Sequence, residues 1–280
     1  MNDLGADRPG SPEVLITSRQ SLFTAVGALW QYRELFVFLA LRDVKIKYRQ
    51  AVLGIAWAAI QPLVTMFLFA WLFSKTLGVG AAGQHRYVFY LSALIPWLFF
   101  SSAVTAASNS LVGNADMLRK VYFPRLVLPA ASALAGLVEL GIGFVVLVVL
   151  LGTLGLLSLK LLFWIPLVGL LFLFSLAVGA FLAAVNARYR DVKHTVPFLL
   201  QVWLFVSPVI YPVAIVPERF RSWVSLNPMV GILGAFRATT TPSATLDVAS
   251  LVTAVGSTIV LSVVAGYYFL RTEAELADVV

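Results

Sequence analysis

The stretch "GVGAAG" at 78–83 has the glycine spacing that lets a backbone approach a dinucleotide pyrophosphate, and it is also most of a P-loop. Neither chemistry can be completed. A dinucleotide site needs a strand before the glycines and a helix opening after them, whereas here a long apolar run precedes an outer-loop segment. A P-loop needs Lys and Ser or Thr where Gln84 and His85 stand. No other P-loop occurs, so the chain is not itself a standard ATPase. His85 and His194 are the two histidines and lie far apart, so no metal site is expected. There is no cysteine, which excludes disulfides and thiolate ligands. No Ser, His and Asp fall close enough to suggest nucleophilic catalysis.

Three other sets of residues stand out. Glu139, in "LAGLVELGIGF", is the one ionisable side chain deep inside an apolar run. A carboxylate in a membrane is costly and marks a functional position by default. The plainer reading is a protonated or hydrogen-bonded acid at a helix interface, beside Gly136, Gly141 and Gly143. The second set is the basic cluster Arg42, Lys45, Lys47 and Arg49, with Asp43 among them, set directly against an uncharged run. The third is aromatic. Trp57 and Trp71 share a helical face with Gln61, Val64 and Leu68. Trp97 and Phe100 lie in "PWLFF", and Trp203 and Tyr211 lie further on with Phe198 and Phe205. Such rings serve either as lipid-facing belts or as platforms over which sugar faces slide in a lumen.

The elements that must position these residues follow from composition. The 280 residues are 60% hydrophobic and 12% charged. A soluble domain has about a quarter charged residues, so this chain is an integral membrane protein. Six runs reach the length of about 20 residues needed to cross a bilayer: 51–73, 87–111, 126–157, 161–185, 196–213 and 248–270. With no alternating pattern, the spans are helices, not barrel strands. The third is long enough to tilt, kink or project. Pro62, Pro96 and Pro208 are expected to bend their spans. With the N-terminus inside, the inner segments hold fourteen of the twenty Lys and Arg residues. Both termini are therefore expected in the cytoplasm. The basic cluster then anchors the first span at the anionic inner leaflet.

Four further segments complete the reading. Residues 1–28 are expected to be a mobile cytoplasmic arm with no signal-peptide core. Residues 29–50 are too short in their apolar part to span and are expected as an interfacial helix, although their charges do not fall on one clean face. Residues 213–245, interrupted by Pro217 and Pro228, are expected as two short helices dipping into the outer leaflet. The inner loops 113–125 and 186–194 add Asp116, Tyr122, Tyr189 and Asp191 to the basic Arg119, Lys120, Arg188 and Arg190. That mixture suggests a docking surface, where simple topological anchoring would need only the cations.

The ordered motifs "LRDVKIKYRQAVLGIAWAAIQPL", "LRKVYFPRLVLP", "NARYRDVKHTVPFLLQVWLFVSPVIYP", "LNPMVGILGAFR" and the terminal "AELADVV" resemble the permease subunit of type 2 ABC polysaccharide exporters, over about residues 29–280. These move O-antigen, capsule or teichoic acid chains. The resemblance implies an all-α integral membrane fold of six spans over 51–271, an amphipathic interface helix at 29–50, two re-entrant periplasmic helices within 214–240 and a short cytoplasmic tail at 272–280. It implies a homodimer bound to two copies of a separate ATPase, exporting a lipid-linked polysaccharide, foremost O-antigen, across the inner membrane during lipopolysaccharide biosynthesis. ATP and Mg would sit on the partner, with no cofactor on this chain and no nucleic acid among its partners. Rival readings are an exporter of a small lipid or drug on the same fold, a membrane scaffold, or a membrane transferase, which would need clustered acids or histidines that are not found.

Overall fold

The computed structural model describes residues 27, 30–49, 54–76, 85–121, 123–189, 191–241 and 244–279. Nearly all of the expected N-terminal arm, the 78–83 glycines, Tyr122 and Arg190 lie outside the described residues. Every regular element that is described is helical. In order these are α1 (Arg33–Tyr48), α2 (Trp57–Thr76), α3 (His85–Gly113), α4 (Ala115–Lys120), α5 (Val127–Ala135), α6 (Leu137–Thr153), α7 (Trp164–Arg188), α8 (Val192–Val206), α9 (Glu218–Ser225), α10 (Pro228–Thr240) and α11 (Val248–Val279). Short 3-10 turns precede α2 and α7.

Five helical stretches are long and apolar enough to cross a membrane: Gly54–Phe73, Arg86–Gly113, Val127–Thr153, Leu159–Arg188 and Val248–Thr272. Their sequences contain long apolar runs whose backbone groups must be satisfied within the segment, and a helix does that. The expected fifth run, 196–213, differs. Its helix α8 has 15 residues and ends at Val206. Pro208 therefore kinks no helix; it lies beyond the end of α8. Its missing N–H and its ring both oppose continuation of the helix past this point.

The long third span bends at Gly136, between α5 and α6. The Gly136 N–H turns to Ala133 O at 3.2 Å, a tighter turn than the α-helical ladder. No side chain fits there without displacement, because a Cβ would lie 3.2 Å from the Phe99 ring.

Helix α3 is the axis of the fold. It packs on α7, α5, α2, α10 and α6 and is mostly buried, whereas the other spans expose most of their surface. One core runs along it, with Trp97, Phe99, Phe100, Leu171, Phe174 and Phe236 fully or nearly buried. A second core joins Leu39 and Ala40 of α1 to Leu111, Val127, Leu128, Ala184 and Phe269. That cluster fixes the interface helix to α3, α5, α7 and α11.

Candidate functional site

The interface helix is docked by polar side chains at two levels. Near its middle, Arg42 pairs with Asp43 at 2.9 Å and also donates to Asn114 Oδ1 at 2.9 Å. The Ser132 hydroxyl donates to Asp43 Oδ2 at 2.8 Å. One turn later, Lys47 Nζ lies 2.5 Å from Glu139 Oε1. Tyr48 donates to the same oxygen at 2.8 Å, and Ser102 donates to Glu139 Oε2 at 3.3 Å. Burial, then the hydrogen bond to Glu139 and its charge, push the Tyr48 phenol above its ordinary pKa. Glu139 is thus not an isolated acid deep in a span. It meets the last turn of α1, at the junction with the first span, and carries a cation and two hydroxyls.

The basic cluster divides between protein contacts and exposed positions. Arg42 and Lys47 contact protein partners, Lys47 while staying about half exposed, and Lys45 and Arg49 are exposed. The apolar Val37, Phe38, Leu41 and Ile46 of α1 are exposed as well. Between α1 and α3 and α5 lies a cavity of about 290 Å3, walled by Asp43, Lys47, Ser102, Asn109, Asn114 and Ser132.

The turns that follow α3 and α7 gather at the same end of the molecule. The Asn114 carboxamide caps Ser110 O at 2.7 Å while it receives Arg42. Buried Asn186 donates to Ser108 O at 2.8 Å and to Asn109 Oδ1 at 3.2 Å. Both turns are therefore tied to the last two turns of α3. Beyond these ties, Asp116, Arg119 and Lys120 on α4 are exposed, as are Arg188, Tyr189 and Asp191. The Arg188 guanidinium lies 5.8 Å from the Tyr189 ring. Tyr122 and Arg190, expected in the same surface, lie outside the described residues.

The aromatic residues separate into three groups. Trp57 and Trp71 are more than half exposed on α2, as are Phe198 and Phe205 on α8. Trp203 and Tyr211 are half-buried and hydrogen-bonded. Trp203 Nε1 donates to Asn227 Oδ1 at 3.1 Å, and the Tyr211 hydroxyl caps the carbonyls of Phe205 and Val206. Trp97 and Phe100 line no surface. They are buried in the core of the chain, Phe100 stacked on Phe174 at 5.3 Å and 12°. Helical spacing does not tell a ring facing a neighbouring span from one facing a lumen.

The segment after α8 forms two short helices of opposite character. No residue of α9 is buried, and Phe220 and Trp223 point outward. Helix α10 starts at an Asn–Pro pair, with Asn227 Oδ1 accepting the Met229 N–H at 3.1 Å and Pro228 at the first helical position. Nine of its thirteen residues are buried. Gly231 allows its backbone to press against the Ser250 carbonyl of α11, where any side chain would collide. Arg237, near its end, is 6% exposed and donates to backbone carbonyls of 208, 209 and 211. Nothing in the charge count distinguished it from a solvent-facing cation; only its place in "LNPMVGILGAFR" hinted at a role.

Among the described residues, no three His, Asp or Glu side chains come close enough to hold a metal ion.

Comparison with known proteins supplies the family. Residues 34–240 match the family model described as ABC-2 type transporter. The chain is 32% identical over 216 residues to the O-antigen export system permease protein RfbA of Myxococcus xanthus, covering 76% of this chain and 82% of that protein. It is 26% identical over 206 residues to an RfbA of Klebsiella pneumoniae, with 73% and 79% covered. The polysialic acid transport protein KpsM of Escherichia coli is 24% identical over 210 residues, with 73% and 80% covered. The match spans the interface helix, both inner turns and the α9–α10 segment, and on that ground the chain is a multi-pass membrane protein belonging to the ABC-2 type transporter family.

Proposed function

We propose that two copies of this chain form the channel through which a lipid-linked polysaccharide, foremost O-antigen, is exported across the inner membrane, driven by two copies of a separate ATPase. The observation that carries this reading is the 32% identity to an O-antigen export permease over 82% of its length. The geometry is compatible with it. The apolar, aromatic faces of α2 and α8 are left uncovered by the single chain, and a second copy placed against them would bury Trp57, Trp71, Phe198 and Phe205 or line a lumen with them. Weak contacts with such rings suit a polymer that must slide.

In this reading α8 and the residues up to Val213 make the fifth of six crossings, α9 and α10 are re-entrant from the periplasmic side, and both termini are cytoplasmic. The ATPase docks on α4 and on the turn at Arg188–Asp191. Its closure moves the inner end of α8. The permease contributes no hydrolysis of its own. The test is co-purification with a partner ATPase from the same organism. Lipid-linked glycan should stimulate hydrolysis by the complex, while a small lipid or drug that stimulates equally would favour a different cargo.

A further inference from the structure

Helix α8 stops within apolar surroundings, and a broken helix there leaves carbonyls that need donors. Val206 is its last residue and Ser207 is extended. Pro208 and Pro212 offer no N–H. Two side chains supply what the backbone lacks. The Tyr211 hydroxyl reaches Phe205 O and Val206 O at 3.1 and 3.2 Å. The Arg237 guanidinium reaches Pro208 O at 2.5 Å, Val209 O at 2.7 Å and Tyr211 O at 3.5 Å. Its Nε donates to Phe89 O at 3.4 Å, and its carbon lies 3.8 Å from the centre of the Phe89 ring. A second tie joins the same places, because Asn227 Nδ2 donates to Ser207 Oγ at 2.9 Å while Asn227 Oδ1 accepts Trp203.

Both ties come from α10, which packs on α11, α3 and α7 and is largely buried. Helix α8 is the opposite case: only Val196 and Leu200 of its fifteen residues are buried. At its inner end Asp191, Lys193, His194 and Thr195 are exposed, and Val192 and Val196 rest on the core. The span is therefore tied by hydrogen bonds at its outer end, whereas its inner half is held by the apolar contacts of Val192, Val196 and Leu200, which can slide.

We propose that Arg237 is a positioning residue for export: it pins the outer end of α8 to α10, so that a push on the inner turn rotates α8 about that pin. The inference rests on the coupling role proposed above for the turn at Arg188–Asp191. Arginine is required because one planar fork must serve several carbonyls, and a lysine ammonium at the same place has neither the reach nor the geometry.

The chain has no cysteine, so spin labels can be placed on an otherwise native background. An inner pair, Lys193→Cys with Tyr267→Cys, and an outer pair, Phe205→Cys with Val248→Cys, all occupy exposed positions. In proteoliposomes containing the complete complex, ATP should shift the inner-pair distance distribution and leave the outer pair in place. In Arg237→Gln the outer pair should shift as well, and export per ATP hydrolysed should fall about ten-fold, as expected when several charged hydrogen bonds are lost. Arg237→Lys, which keeps the buried charge and serves if the Gln variant does not assemble, should show the same defect in smaller degree. Equal shifts of both pairs in the unsubstituted protein would overturn the pin, and so would unchanged export per ATP in both variants. No shift at either pair would remove the coupling reading beneath it as well.

Discussion

The Lys47 ammonium and the Tyr48 hydroxyl converge on one oxygen of Glu139, at 2.5 and 2.8 Å. The contact joins the last turn of the interface helix to the first turn of α6, across 91 residues of sequence for the Tyr48 bond. It bridges α1 and the second half of a helical stretch long and apolar enough to cross the membrane. The carboxylate is partly buried and the ammonium about half exposed, so the pair is worth more than a surface salt bridge and less than a fully buried one.

Lys47→Met and Glu139→Gln should each lower thermal stability in detergent, by about 1–2 kcal/mol. Together they should cost less than the sum, with a coupling energy of about 1 kcal/mol. Strict additivity in the double-mutant cycle would show that the two groups act independently.

Tyr189→Ala should weaken association with the ATPase or uncouple hydrolysis from export, because truncating a buried aromatic anchor costs about 2 kcal/mol at an interface. Arg190→Lys should do the same, since lysine lacks the planar fork. Membrane insertion should be unaffected in both. Normal export by the two variants would reduce this turn to a topological anchor.

A cysteine at Ser222 on α9 should react with an impermeant reagent added outside intact cells. One at Lys193 should react only after the membrane is opened. The reverse labelling would invert the proposed orientation.

Asp247 caps α11, its Oδ2 accepting the Ser250 hydroxyl at 2.6 Å and its Oδ1 the Ser250 N–H at 3.2 Å. These bonds, the hydroxyl's foremost, hold its carboxyl below the ordinary carboxylate pKa against a small opposing effect of burial. A depressed folded pKa means that the stabilisation is complete above the unfolded value and is lost as pH falls through the folded one. Asparagine caps about as well as aspartate, so Asp247→Asn should cost only a few tenths of a kcal/mol at pH 7, screened at this exposed site, and progressively less below about pH 4. A pH-independent difference in thermal unfolding would show that the charge plays no part.

Much of this architecture was legible in the chain. Five spans and the interface helix follow from apolar run length, and the α9–α10 break follows from Pro217 and Pro228. What composition could not supply was the end of α8. The apolar run continues to Val213, yet Ser207 and Pro208 stop the helix, and hydropathy averages over that. Glu139 stood out as a lone acid, but its partner lies in a distant segment, and Lys47 reads equally well as a lipid-facing cation. Arg237 counted among the outer charges, because a charge count cannot register that a guanidinium is buried against carbonyls. The Trp97 and Phe100 rings share the spacing of lining residues and are core, since α3 is enclosed on several sides.

The most direct test uses proteoliposomes holding this chain with its partner ATPase, supplied with lipid-linked O-antigen on the ATPase side, and measures the glycan that becomes accessible on the other side. The account predicts ATP-dependent delivery that disappears when the permease is left out and when the ATPase is inactivated. Hydrolysis that the glycan does not stimulate, with no glycan delivered, would contradict it.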